Sequence, residues 1–245
     1  MAHNPSLVTN WRFSSIGAVK VGWQSFKNDP GFLVGTVILA WLVPAVIWAS
    51  MPGWFLSETL SFLASIICAM GVIDISLKMQ RRQHVSFGDL FGNYRLIVRA
   101  VISSIAMGLA TAIPIVGLAF MAVIVGIMMG AGDPFIGTMI AIVLIFFLSF
   151  PFFVILARLQ YYLYLIVDKD LGALDAIRKS WDLTQGQAWP VVMMFNWFTL
   201  LVILGVCALG VGLLVAVPVC IMANAYAYQQ MLDRSDMANL PARSR

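Results

Sequence analysis

The sequence predicts an all-α fold: a polytopic helical membrane protein whose six transmembrane helices form three hairpins, each preceded by a cytoplasmic interfacial amphipathic helix. Three observations predict it. Apolar runs of span length recur along the chain, separated by short polar connections. Hydrophobic residues make up 61% of the chain and charged residues 11%, whereas a soluble domain carries about 25% charged residues. Lys and Arg collect on alternate connections, which assigns those connections to one side of a bilayer.

The elements follow in order. Phe13 to Asn28 sets Ile16, Val19, Trp23 and Phe26 on one helical face and Lys20, Gln24 and Lys27 on the other, and Asp29-Pro30 stops it. Gly31 to Ser50 is the first span. It is of span length and starts well after Met1, so it reads as a retained segment rather than a cleavable signal. Met51-Pro-Gly53 turns the chain into a second span, Ser57 to Leu77, which carries Asp74 near its end. Ser86-Phe-Gly-Asp89 then has the form of a capping box, in which the Ser hydroxyl and the Asp carboxylate satisfy free N–H groups at a helix start. Phe87, Leu90, Phe91 and Tyr94 share a face of the second interfacial helix.

Leu96 to Gly130 is longer than a bilayer core requires, so tilt, a kink at Pro114 or emergence into the headgroups must absorb the excess. Gly130 to Pro134 is the next turn. Phe135 to Val167, interrupted by Pro151, is the fourth span and contains Arg158. Splitting each long run at its proline would give eight spans instead of six, but Ile113 to Gly117 and Phe150 to Phe152 carry no polar turn residues. Asp170 is placed to cap a third interfacial helix, with Leu174, Ile177 and Trp181 on one face and Asp175, Arg178, Lys179 and Asp182 on the other. Asp175 and Lys179 are spaced as an i,i+4 pair, and Gly186 suits a C-terminal cap. Trp189 to Leu232 accommodates two spans with a tight turn near Leu209. The expected organisation is residues 1–30 as a cytoplasmic N-terminus with its interfacial helix, 31–232 as the membrane domain, and 233–245 as a disordered cytoplasmic tail.

The fifteen Lys and Arg all fall on or near one side of this arrangement, and the opposite turns offer only Glu58 and Asp133. Both termini are therefore expected in the cytoplasm of a bacterial-type inner membrane. The interfacial helices carry Trp23 and Phe26, then Phe87 and Phe91, then Trp181, a weak internal repeat.

Certain residues carry a resemblance. Leu77-Lys78 with Ser86 to Phe91, Arg158, Tyr164 to Asp168, and the run Ala173 to Gly186 with its Leu-Thr184-Gln-Gly186 close resemble the YciC-like bacterial inner-membrane proteins. They are also similar to the membrane domain attached to some glycerophosphodiester phosphodiesterases. Gly210 to Pro218 and Ala225-Tyr-Ala-Tyr228 fit the same pattern. The resemblance implies an all-helical inner-membrane protein and brings no catalytic domain with it.

The net charge of +4 comes with no dense basic run, so anionic headgroups rather than nucleic acid are the expected counter-charge. Cys68, Cys207 and Cys220 lie in apolar runs without a CxxC spacing and read as small buried hydrophobes, so no metal and no cofactor is expected. Two histidines, His3 and His84, support no catalytic set, and no Gly-rich phosphate loop is present. The residues to weigh are the intramembrane charges Asp74, Arg99, Arg158 and Asp168, because ionisable groups within spans default to functional candidates. Arg158 and Asp74, the deepest opposite charges, are expected to pair. The leading expectation is a membrane protein without enzymatic activity that binds a membrane or cytoplasmic partner or organises lipid at the cytoplasmic leaflet. A small transporter or channel for a hydrophobic or anionic solute is the alternative. The bilayer is one partner, and the small-residue stripe Ala100, Ser104, Gly108, Ala112 leaves an oligomer open.

Overall fold

The computed structural model describes residues 14–130, 139, 153–208 and 210–238, which are helical apart from turns and short irregular connections, with no strand among them. The helices are α1 (Ser15–Asn28), α2 (Pro30–Ser50), α3 (Trp54–Gln80), α4 (Ile97–Gly130), α5 (Tyr162–Lys169), α6 (Ala173–Leu183), α7 (Ala188–Cys207) and α8 (Leu213–Ala238). Residues 153–159 are also helical. The turn at Asp133, the first part of the expected fourth span with Pro151, Leu209 and the last residues of the tail lie outside the described residues.

Among the described residues, five helices are long and apolar enough to cross a membrane by length and composition: α2, α3, a segment that ends within α4 at Gly117, α7 and α8. Pro30 opens α2 at a position where its missing N–H costs nothing. Gly53, at φ 92, closes the turn into α3, where the Trp48 indole donates to Glu58 (2.9 Å) and the Ser61 hydroxyl donates to the Pro44 carbonyl (3.0 Å). These bonds tie the first hairpin together at the end remote from most charges. The backbone of α4 stays helical through position 114, so the chain is not split there. The final hairpin has Gly210 at φ 78 and turn residues 210–212 ahead of α8; Leu209 itself, where the turn is expected, lies outside the described residues.

Helix α1 packs along α8 on a face of small residues. A Cβ on Gly22 would lie 2.5 Å from the Val219 carbonyl oxygen, so only glycine permits this approach. The buried face of α1 is Ala18, Gly22 and Phe26, while Trp23 is 44% exposed on the stripe that also carries Lys20 and Lys27. The expected division of Trp23 from the lysines is thus corrected: burial follows the residues small enough for close contact, not the largest apolar ones. In α6 likewise Ala176, Ser180 and Leu183 are buried while Leu174 and Trp181 are exposed, and no ion pair joins Asp175 to Lys179.

The second interfacial helix is not an α-helix. Phe87–Phe91 and Tyr94–Leu96 are two short 3-10 turns, and only Leu90 among the four expected face residues is buried. Leu90 wedges its backbone against Gly71 of α3. The Ser86–Asp89 capping box does form. The fourth apolar run also has a turn at Gln160–Tyr161, next to the point where the Ser180 hydroxyl donates to the Arg158 carbonyl (2.9 Å). At the other end α8 continues as helix to Ala238, so residues 233–238, expected to be disordered, are helical. Cys68 is buried, Cys220 half-buried and Cys207 exposed, the last against expectation; all three are free thiols.

The main core gathers Leu77, Tyr161, Tyr164, Leu165, Val191 and Tyr228 from α3, α5, α7 and α8 and the turn before α5. It lies directly beneath the charged groups described next.

Candidate functional site

The ion pairs among the described residues gather where α3 ends, against α5 and the turns that follow it. Lys78, on the last turn of α3, reaches both Asp74 and Asp89 at 2.8 Å. Asp74 is its i,i+4 neighbour, and Asp89 arrives from the 3-10 turn that Ser86 caps. Asp89 also accepts from the Ser86 backbone N–H at 2.7 Å, and these two donors hold its carboxyl below the usual aspartate range. The expected Asp74–Arg158 pair does not form, because Lys78 is one helical turn away from Asp74 while Arg158 is engaged elsewhere.

Arg81 pairs with Asp168 at 2.6 Å, and the Tyr228 hydroxyl donates to the other Asp168 oxygen at 3.1 Å. Three elements, α3, α5 and α8, thus converge on one carboxylate whose side chain is 5% exposed. Below it the rings of Tyr161, Tyr164 and Tyr228 pack with centroids 5.3 to 6.3 Å apart. Arg99 binds Asp170 through its carboxylate and donates to the Asp170 carbonyl at 2.8 Å. Asp170 therefore does not cap α6, as its place in the sequence suggests. It terminates α5 in the left-handed region at φ 53, and Gly172 precedes α6 without a side-chain cap.

Arg158 has no carboxylate partner among the described residues. Its guanidinium lies over the Trp181 ring, 3.6 Å from the centroid, while Nε donates to Thr184 Oγ1 (3.2 Å) and one terminal nitrogen to the Trp181 carbonyl (3.1 Å). Thr184, buried, is the residue that ends α6, and Gly186 follows at φ 72 in the next turn, two residues later than a simple cap would place it. The structure therefore brings together Arg158, Trp181 and Thr184, and separately Arg81 with Asp168, while a Cβ on Gly186 would face the Arg234 guanidinium instead. Trp23 and Phe26 lie on α1, with Phe26 packed against Leu33, Val219 and Met222. Phe87 packs against Phe32 with centroids 4.7 Å apart and the rings tilted by 35°, and Phe91 is exposed.

Residues 132–230 match the family model for the membrane domain of glycerophosphoryl diester phosphodiesterase. This membrane-domain segment is under half of the chain and agrees with one of the two resemblances read from the sequence; the YciC-like resemblance is consistent with it. It takes in Arg158, Asp168, Thr184, Gly186 and Tyr228, while Asp74, Arg81 and Arg99 lie outside it. The Arg81–Asp168 bond therefore fastens the membrane-domain segment to the preceding half of the chain. No curated protein and no solved structure matches the chain.

Lys78, Arg81, Asp89 and Tyr228 are the members of this layer that sequence reasoning did not single out as candidates. Arg81 is, in the sequence, one of the fifteen Lys and Arg tallied for orientation; the signal that could have found it is the need of Asp168, at the end of an apolar run, for a cation from another segment. Among the described residues no group of three or more His, Cys, Asp or Glu is placed to hold a metal ion.

Proposed function

We propose that this chain, an integral, multi-pass membrane protein, is a non-enzymatic inner-membrane protein of six spans with both termini in the cytoplasm. Its charged end serves as a docking surface for a membrane or cytoplasmic partner protein. The observation that carries this reading is the state of α6: Ala176, Ser180, Leu183 and Thr184 anchor it, Arg158 holds its end, and Leu174 (63% exposed) and Trp181 (38% exposed) face outward with Asp175, Arg178 and Asp182. A rigidly held helix that presents apolar and charged groups together has the composition of a protein-binding surface.

The test is the native mass of the complex extracted under mild conditions. A stoichiometric second protein that is lost on L174D supports the reading; a particle containing this chain alone, with L174D unchanged in mass and behaviour, overturns it. Orientation is tested separately by labelling single cysteines placed at Gly53 and Gln83, of which only the second should be reached from the cytoplasm. Transport of an anionic solute is a second reading, favoured by the one observation that Arg158 lacks a carboxylate partner among the described residues. Solute flux in proteoliposomes that disappears on R158Q would establish it in place of docking.

A further inference from the structure

Two cavities of about 350 and 380 Å3 lie side by side between α1, α7 and α8 and share Val19 and Trp23 in their walls. Each is within the range of about 300–1,000 Å3 found for small-ligand clefts. Together they form one groove with two chemically different halves. One half is lined by Lys20, Gln24 and Lys27 with Trp23 and Trp197. The other is lined by Leu201, Leu204, Val215 and Ala216 and is floored where α7 and α8 touch backbone to backbone, a Cβ on Gly212 falling 2.7 Å from the Gly205 Cα.

Lys20 and Lys27 are exposed, and neither has a carboxylate partner among the described residues. Lys27 sits 5.3 Å from the centroid of the Trp23 ring, which keeps its ammonium at the groove rather than out in solvent. An apolar trough that opens between two unpaired lysines and two tryptophans has the charge and polarity order of one molecule abundant in its surroundings. We infer that this groove binds a single anionic phospholipid, with an acyl chain along Leu201, Leu204 and Val215 and the headgroup phosphate between Lys20 and Lys27. A second protein chain would need carboxylates to meet the lysines and would not need the apolar half to be a narrow trough. The inference does not depend on partner docking at α6, since α1, α7 and α8 supply every residue of the groove.

The experiment uses the full chain in nanodiscs that contain phosphatidylcholine and phosphatidylglycerol in equal amounts, with retained lipids counted by native mass spectrometry after release. One phosphatidylglycerol should stay bound in preference to phosphatidylcholine. K20Q/K27Q, which alters only exposed positions, should lower that preference by roughly tenfold or more. L204W, which crowds the apolar half, should lose the retained lipid of either kind while melting at the wild-type temperature. Equal retention of the two lipids, an unchanged preference in K20Q/K27Q, or a lipid-free dimer would each overturn the inference. If L204W melts early, V215F provides the same crowding from α8, and lipid retention by a stably folded V215F protein would equally overturn it. L174D serves as the control that separates this site from the docking surface: it should leave the retained lipid in place.

Discussion

Arg81 and Asp168 meet at 2.6 Å with unequal burial, the carboxylate side chain 5% exposed and the guanidinium side chain 40%. The inequality makes the two halves of the pair respond differently to loss. Removing Arg81 strands a buried charge that keeps only the Tyr228 hydroxyl, whereas removing Asp168 leaves a cation already in reach of solvent. R81Q should therefore cost about 3–5 kcal/mol and D168N only about 1–2 kcal/mol. The double variant should be more stable than R81Q alone. Equilibrium unfolding in mixed micelles checks the order; equal losses for the two single variants would show that Asp168 is solvated in the membrane-bound protein.

Close backbone approach gives a second, independent prediction. A Cβ on Gly71 would fall 2.1 Å from the Leu90 carbonyl oxygen and 2.4 Å from its Cα, and neither atom belongs to a side chain that could swing away. G71A should cost at least about 1–3 kcal/mol, because the 3-10 turn carrying Leu90 must move and take the Asp89–Lys78 contact with it. Gly31 is the comparison: nothing lies within 4 Å of its Cβ position, so G31A should stay within about 0.5 kcal/mol of the parent. Thermal melting of the two alanine variants side by side tests the difference.

These two cases also mark how far the sequence could be read. Apolar length predicted helices that the structure contains, with ends within a few residues at Pro30–Ser50, Trp54–Gln80 and Ile97–Gly130. Capping at Ser86 and Asp89 was legible for the same reason, since it depends on a spacing of three residues. Partner choice over long sequence separations was not. Asp74 and Arg158 looked like partners because both were deep and opposite in sign, yet Lys78 stands one turn from Asp74, and Trp181 and Thr184 arrive at Arg158 only through the fold. The face of α1 that is buried was misjudged because periodicity ranks residues by hydrophobicity, whereas contact with α8 is decided by the smallness of Ala18 and Gly22.

The Ser86–Asp89 box carries a pH signature. Lys78 and the Ser86 N–H lower the Asp89 carboxyl below its ordinary range in the folded protein. Its contribution is therefore fully present above the ordinary aspartate range and is lost as pH falls through the lowered folded value. The difference in melting temperature between the parent and D89N should be constant near neutrality and shrink only under strongly acid conditions. A difference that vanished already around pH 6 would mean that another group controls this turn. S86A, which removes the hydroxyl but not the carboxylate, should cost about 1 kcal/mol with little pH dependence.

Arg158 offers the sharpest separation of shape from charge. Its guanidinium is used as a plane over the Trp181 ring and as a fork toward Thr184 Oγ1 and the Trp181 carbonyl. Lysine retains the charge but has neither the plane nor the fork. If the role were to neutralise a carboxylate, R158K would be nearly silent. The geometry instead predicts that R158K and R158Q lose similar stability, roughly 1–2 kcal/mol each, and that R158K is coupled to W181L by about 0.5–2 kcal/mol in a double-variant cycle. An R158K protein that melts with the parent while R158Q does not would place the weight on charge, and with it favour an anion at Arg158 over a structural tie between the segment before α5 and the end of α6.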